Sequence, residues 1–281
     1  MGPDGLPDVS VVVCTFNRAE ALEEALESLA CQSVERMKYE ILVVDNGSTD
    51  DTQERIEAFR KKHPDLTVVS VYEPVHGLAY ARNRGFKEAR GRYVAYIDDD
   101  ARAHRDWVGC AIDLFRRVRP TPMCVGGKVL PIYQNPRPPW FKDDYETRTF
   151  GPVSRFLSKG EDFSGSNMIW RKEVLEEFGG FDVRLGVRGD YLLLGEETAL
   201  FEKLWESTER ACFYYSPELV VYHVVPAWKM KVSYQWKRAF SWGKSWALVH
   251  GPDSSWDKTK FLAHTFSLMM KRTAVAFKEI R

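Results

Sequence analysis

Three adjacent aspartates, Asp98-Asp99-Asp100, close the apolar stretch Tyr93-Val94-Ala95-Tyr96-Ile97. Neighbouring carboxylates repel one another, and the end of an apolar strand is a costly place to gather them. A divalent cation relieves that repulsion, and hard carboxylate oxygens suit Mn²⁺ or Mg²⁺; a solvated acidic turn is the plainer alternative. Alternate residues of a strand share a face, so Asp98 and Asp100 are placed to converge while Asp99 turns elsewhere. Two further polar clusters follow apolar runs: Thr15-Phe16-Asn17-Arg18 and Asp45-Asn46-Gly47-Ser48. A second acidic pair, Glu196-Glu197, follows Gly195 where a helix opens. The helix dipole favours the charged carboxylate there, ready to accept a proton; an ordinary acidic first turn would look the same.

These groups become one site only if the elements beneath them form one sheet. Val9 to Phe16, Tyr39 to Val44, Leu66 to Tyr72 and Arg92 to Ile97 read as strands buried on both faces. Between them lie helical segments: a stripe of Leu22, Leu26 and Leu29, a helix ending near Lys62, and Leu78 to Ala89, stopped by Gly91. Asn46 to Asp50 supplies a turn and a helix cap. Such alternation predicts an α/β fold with a mostly parallel sheet covered on both faces. In that architecture ligands bind at the carboxyl ends of the strands, where all three polar clusters fall. One aspartate after a strand is more often a cap than a ligand. Three clusters on one edge are hard to read as caps.

The second half is less regular. Met123 to Leu130 and Phe163 to Trp170 read as extended, with a short helix to Phe178 and another from Gly195 through Leu200 and Leu204. Ala211 to Tyr215 and Leu219 to Val225 read as two extended pieces, and the remainder as helical. Pro131 to Gly160 is a long loop dense in proline and aromatics. Its stretch around Asn135 to Phe141, and the segment Phe181 to Leu194, read as lids or ligand-binding loops, with disorder the alternative. Trp140 is either exposed as a stacking surface or pins the loop.

Composition excludes several classes. Forty basic residues balance forty acidic ones, so there is no overall pull towards nucleic acid, and none is expected as a partner. Five scattered cysteines without a CxxC fit reduced thiols, with Cys14 and Cys124 in the core, rather than a disulfide framework or zinc site. A Walker lysine loop, a GxGxxG turn and a GxSxG elbow are all absent. No run of about 18 apolar residues appears, and Met1 to Asp8 lacks the pattern of a signal peptide. The expectation is a cytoplasmic protein, or one peripheral on the inner face of the cell membrane.

Seven motifs, in order, resemble the family 2 glycosyltransferases of the GT-A fold. They are Val-Val-Cys-Thr-Phe-Asn-Arg around 11–18, Val-Val-Asp-Asn-Gly-Ser-Thr-Asp at 43–50 and Gly-Leu-Ala-Tyr-Ala-Arg-Asn-Arg-Gly at 77–85. Tyr-Ile-Asp-Asp-Asp at 96–100, Gly-Ser-Asn-Met-Ile-Trp-Arg at 165–171, Gly-Gly-Phe-Asp at 179–182 and Gly-Glu-Glu-Thr at 195–198 complete the set. The resemblance implies a catalytic domain over 1–225, with a nucleotide-binding half at about 9–100 and an acceptor half at about 101–225, and a helical extension over 226–281.

It also implies roles. Thr15, Asn17 and Asp45 line the nucleobase and ribose pocket with Arg18 beside them, and Arg82 lies near the nucleotide. Asp98 to Asp100 match the DxD element: Asp100 is the favoured metal ligand, while Asp98 and Asp99 hold ribose or metal. A histidine after the last strand, His223, can meet the metal or the diphosphate. Glu197 stands at the position of the family's catalytic base, one methylene longer than aspartate, with Glu196 the alternative. The implied activity is non-processive, inverting transfer of a sugar from a nucleotide diphosphate sugar (UDP by default) to a hydroxyl of a carbohydrate or lipid-linked acceptor in polysaccharide or glycolipid assembly. The rivals are a sugar-nucleotide nucleotidyltransferase and an inactive binding module of the same fold. In the extension, Trp228, Tyr234, Trp236, Trp242 and Trp246 interleave with Lys229, Lys231, Lys237, Arg238 and Lys244. That mixture suits peripheral membrane contact, or else a structural brace or a homodimer contact.

Overall fold

The computed structural model describes residues 5–188 and 192–250. A buried edge-to-edge run of parallel strands forms its first half: β1 (Val9–Thr15), β2 (Tyr39–Asp45), β3 (Val68–Tyr72) and β4 (Tyr93–Asp98). They are hydrogen-bonded in the order β3-β2-β1-β4, with Thr15 beside Asp45 and Cys14 beside Asp98. This register carries the three polar clusters to the same edge. The connecting helices are α1 (Ala19–Ala30), α2 (Thr52–Lys62) and α3 (Leu78–Glu88).

Strand alternation sorts the core into two layers. Val11 and Val13 face Leu22, Leu26 and Leu29 of α1, Ile56 and Phe59 of α2, and Trp107 to Phe115 of α4 (Trp107–Arg117). Val12, Leu42 and Val44 face α3 and the later helices α5 (Lys172–Phe178) and α6 (Glu196–Ser207). Gly85 lets α3 close on β1, since a Cβ there would lie 2.4 Å from Val12 Cγ1.

The second half is mixed. The sheet continues past β4 through β8 (Met168–Arg171), β6 (Cys124–Tyr133), β9 (Phe213–Val225) and β5 (Ala101–Ala103), with β7 (Arg155–Phe156) pairing β9. Strands β4 and β8, β8 and β6, and β9 and β5 are antiparallel, whereas β6 and β9 are parallel. Four details depart from the sequence reading. α4 and β5 lie in a stretch, 101–122, that carried no assigned element. The extended segment expected from Phe163 shortens to β8, because 164–167 turn and Asn167 N–H donates to the Ser164 carbonyl at 2.9 Å. The two pieces expected at 211–215 and 219–225 are one strand, bulged where Gly127 of β6 gives way to Lys128. A Cβ on Gly127 would lie 2.0 Å from the Leu219 carbonyl oxygen, so the bulge closes against glycine.

Trp140 is the fourth. It is 7% exposed, buried with Phe141, Val225 and Met230, so it pins the Pro-rich loop rather than offering a sugar platform. Of the expected C-terminal helices, α7 (Val232–His250) is described, preceded by a 3₁₀ turn over Ala227–Met230. The rest of the extension, 251–281, lies outside the described residues. Among the described residues no helix is long and apolar enough to cross a membrane.

Candidate active site

At the ends of β1, β4 and β9, acids and cations are laced in a fixed pattern. Asp98 and Asp100 converge with His223, each offering one ligand atom, and these atoms all lie within 4.8 Å of one another. Asp99 turns away, in the turn that follows β4: its Oδ2 accepts from the Thr15 hydroxyl at 2.8 Å and its Oδ1 from Arg18 at 3.0 Å. His223 reaches the cluster because β9 pairs β5 with His223 opposite Ala101, and the Val224 N–H donates to the Asp100 carbonyl at 2.8 Å. His223 Nε2 stands 3.1 Å from Asp100 Oδ1. On the other oxygen, Asp100 Oδ2 accepts from Lys229 Nζ at 3.0 Å and from Arg18 at 3.2 Å.

These contacts set the charges. Burial works against an ionised Asp100, but His223, Lys229 and Arg18 outweigh it and hold the carboxyl well below its usual range. Asp99 goes the other way: burial, with the charges of Asp100 and Asp98 adding to it, overcomes Arg18 and Thr15 and pushes it up to about 6.

The second acidic pair is tied to the first through Arg82. This guanidinium is 3% exposed, donates to Glu196, and lies 3.4 Å from Asp98 and 3.8 Å from Glu197. Gly195, at φ +92°, makes the left-handed turn that opens α6 and delivers both glutamates to it. Glu196 is buried, and that burial, together with the charge of Glu197, raises its carboxyl to about 8 despite Arg82. Glu197 differs: its Oε2 has no hydrogen-bond partner in its buried position. An unpartnered carboxylate oxygen is ready to accept a proton from a hydroxyl that arrives beside it. Asp162, hydrogen-bonded to Thr198, lies near enough for the Glu197 charge to help burial raise it to about 6.

Comparisons with known proteins identify the family and the fold. The sequence profile of glycosyl transferase family 2 matches residues 10–179, more than half of the chain. This chain belongs to glycosyltransferase family 2. It is 27% identical over 266 residues to the glucosyl-dolichyl phosphate glucuronosyltransferase of Haloferax volcanii, covering 90% of this chain and 82% of that protein. It is 26% identical to the succinoglycan biosynthesis protein ExoM of Rhizobium meliloti, covering 91% and 81%. Among solved structures, the mannosyltransferase PcManGT of Pyrobaculum calidifontis, in complex with GDP-Man and Mn²⁺, superposes with a TM-score of 0.64 at 22% identity. That match covers 97% of this chain and 74% of the other. TarS of S. aureus in complex with UDP-GlcNAc superposes with a TM-score of 0.63 at 18% identity, covering 96% and 72%. These structures share the GT-A fold with the chain.

In this glycosyltransferase, Thr15, Arg18, Asp98, Asp99, Asp100, His223, Arg82, Glu196 and Glu197 lie in one connected network. Asn17 and Asp45 sit at its rim and hold loops. Asn17, at φ +53°, accepts from the Thr49 N–H at 2.7 Å, while Ser48 accepts from the Asn17 N–H at 3.0 Å. Asp45 is buried and accepts from the Ser48 N–H at 2.8 Å and from Gln53 at 2.6 Å. Asp50 caps α1 from across the sheet edge, accepting from the Ala19 N–H at 3.1 Å. His76 packs edge-on against Phe16 at 5.1 Å, beside the same rim. The residue that sequence reasoning missed is Lys229. It belongs to the interleaved basic and aromatic residues of the extension, with no site role expected of it, and it is buried against Asp100. No local pattern marks it, because its partner is set by where β9 ends.

Proposed function

We infer that this enzyme moves a sugar from a nucleoside diphosphate sugar to an acceptor hydroxyl with inversion, assisted by Mn²⁺ or Mg²⁺. The observation that carries the reading is the convergence of Asp98, Asp100 and His223 on one side of Arg82, with Glu196 and Glu197 on the other. The donor set fits the ion. The two carboxylates suit Mn²⁺ or Mg²⁺, and the ligand atoms of Asp98, Asp100 and His223 lie within 4.8 Å of one another. Asp98, Asp100 and His223 would hold it, and it would supply positive charge to the departing diphosphate.

The chain's own groups account for the rest. Glu197 takes the proton from the acceptor hydroxyl as that oxygen bonds to the anomeric carbon. The bond from that carbon to the diphosphate oxygen breaks on the opposite face, inverting the centre. Arg82 keeps Glu196 in place, so the neighbouring backbone and Glu197 are fixed relative to Asp98. Thr15 and Arg18 fix Asp99, and with Asn17 and Asp45 they frame the rim where nucleobase and ribose are expected. UDP is the default nucleotide.

A thermal-shift screen of nucleoside diphosphates and their sugars, with and without Mn²⁺, tests the reading, since ligands that bind the native state raise its melting temperature. Metal-dependent stabilisation by at least one nucleoside diphosphate, and slow metal-dependent hydrolysis of its sugar, are expected. No stabilisation by any of them would end the donor assignment, and stabilisation without hydrolysis would favour an inactive module.

A lipid-linked acceptor is favoured by the relative that acts on glucosyl-dolichyl phosphate and by the exposed Trp228, Trp236, Phe240 and Trp242 on the C-terminal segment. Flotation of the purified protein with anionic liposomes at low salt, lost at high salt, is the expected result. Protein that stays with the dense fraction would exclude membrane docking by this segment.

A further inference from the structure

We propose that Lys229 contacts the donor diphosphate, and that the C-terminal segment is thereby a working part of the active site rather than an appendage. The inference rests on the nucleoside diphosphate reading above. Lysine is rarely buried without an anion, and the Lys229 side chain is 9% exposed. The two oxygens of Asp100 divide the surroundings between them: Oδ1 faces His223, while Oδ2 faces Lys229 and Arg18. A cation held by Asp98, Asp100 and His223 would share the Asp100 carboxylate with Lys229, whose own contact is to Oδ2. An ammonium has three N–H donors. One goes to Asp100, which leaves donors for phosphate oxygens gathered at the same carboxylate.

The backbone around Lys229 is built to hold it there. Its N–H donates to the Pro226 carbonyl at 3.0 Å, and its carbonyl accepts from the buried Gln235 side chain, on the first turns of α7, at 2.8 Å. Met230 anchors the turn among Trp140, Phe141 and Val225. Helix α7 is itself docked: Arg238 pairs with buried Glu146 at 2.7 Å, and Ser245 accepts from the Leu194 N–H at 2.8 Å. Leu194 precedes Gly195 and the two glutamates, and a Cβ on Gly195 would lie 3.5 Å from the Trp242 ring. One segment therefore touches the diphosphate side of the site through Lys229 and the glutamate side through Ser245 and Trp242.

The test is calorimetric and needs no turnover. Wild type, Lys229→Met and Lys229→Arg are titrated with Mn²⁺ alone, then in Mn²⁺ with UDP, GDP, UMP and GMP, after thermal unfolding has shown each variant folded. Loss of a charged hydrogen bond predicts a nucleoside diphosphate affinity about tenfold or more weaker in Lys229→Met. Monophosphate affinity should be unchanged within about twofold, Mn²⁺ affinity should be no weaker because Asp100 loses a competing cation, and Lys229→Arg should retain most of the diphosphate affinity. Unchanged diphosphate affinity in Lys229→Met would overturn the inference and leave the donor reading standing. Equal weakening of mono- and diphosphate would also overturn it, assigning Lys229 to pinning the segment. Wild-type protein that binds neither diphosphate would overturn the donor reading, and this inference with it.

Discussion

Asp100 and Glu196, one carboxyl from each acidic cluster of this site, are treated oppositely by the fold. Asp100 meets Arg18, Lys229 and His223, and among them its carboxyl is driven towards the charged form. Glu196 is the more deeply buried, its side chain 4% exposed against 14% for Asp100; it shares the single guanidinium of Arg82 with Asp98 and Glu197, and its carboxyl is driven towards the neutral form. Burial alone therefore does not set the charge of a carboxylate here. Whether the neighbouring charges outweigh burial decides it: they do at Asp100 and do not at Glu196, where the charge of Glu197 adds to burial. A charged cluster suits the holding of a divalent ion, and a glutamate pair short of positive charge suits the movement of a proton.

The largest expected effect comes from breaking the charged side. Asp100→Ala removes a proposed ligand and leaves Lys229 and His223 without their carboxylate, so metal-dependent nucleotide binding and transfer should both be lost. Calorimetry with UDP and Mn²⁺ checks this, and wild-type affinity in the variant would show that the charged cluster is not the ion site. The proton-handling side should respond more moderately. Glu197→Gln is expected to keep donor affinity and lower turnover by about 10²- to 10⁴-fold, the range for a lost general base. Glu196→Gln, which replaces a carboxyl already disposed to be neutral, should cost less turnover. Steady-state rates on the two variants decide it: a greater loss at Glu196 would exchange their roles.

The contrast was only half legible in the sequence. The four parallel strands announce themselves as short apolar runs ending in polar clusters, so the shared edge follows from strand geometry, whereas Asp98 and Asp100 converge through the turn between β4 and β5. Glu196 and Glu197 could be found together but not told apart. Their difference comes from Arg82, 114 positions before Glu196 in the chain, which becomes a neighbour only when α3 and α6 pack on the same face. Lys229 and Trp140 could not be placed for a related reason. Basic-aromatic interleaving describes a surface on average, whereas burial of one particular lysine or tryptophan depends on a tertiary partner. Helix α4 went unassigned although Trp107, Val108, Ala111, Ile112, Leu114 and Phe115 form a buried face.

The smallest predicted effect tests the contrast most directly, because it reads the two carboxyls by the sign of their linkage to stability. The Glu196 carboxyl lies at about 8 in the fold, against a reference value of 4.5. Between those values the folded state keeps a proton that the unfolded chain has released, so stability falls as pH rises through that window and levels off above it. Asp99, raised from 3.8 to about 6, acts in the same direction over a lower window. Asp100, depressed in the fold, acts oppositely: its contribution is present above 3.8 and is lost as pH falls through its lowered value. In metal-free buffer from pH 5.5 to 8, wild-type melting temperature should therefore decline. Glu196→Gln, which mimics the protonated carboxyl, should decline less. The comparison is a difference between two curves, so the histidines and Asp99 largely cancel. Each kcal/mol of linkage should separate the curves by about 2–4 °C for a protein of this size. If the two melting curves run parallel from pH 5.5 to 8, Glu196 is ionised throughout, and the opposite treatment of Asp100 and Glu196 is wrong.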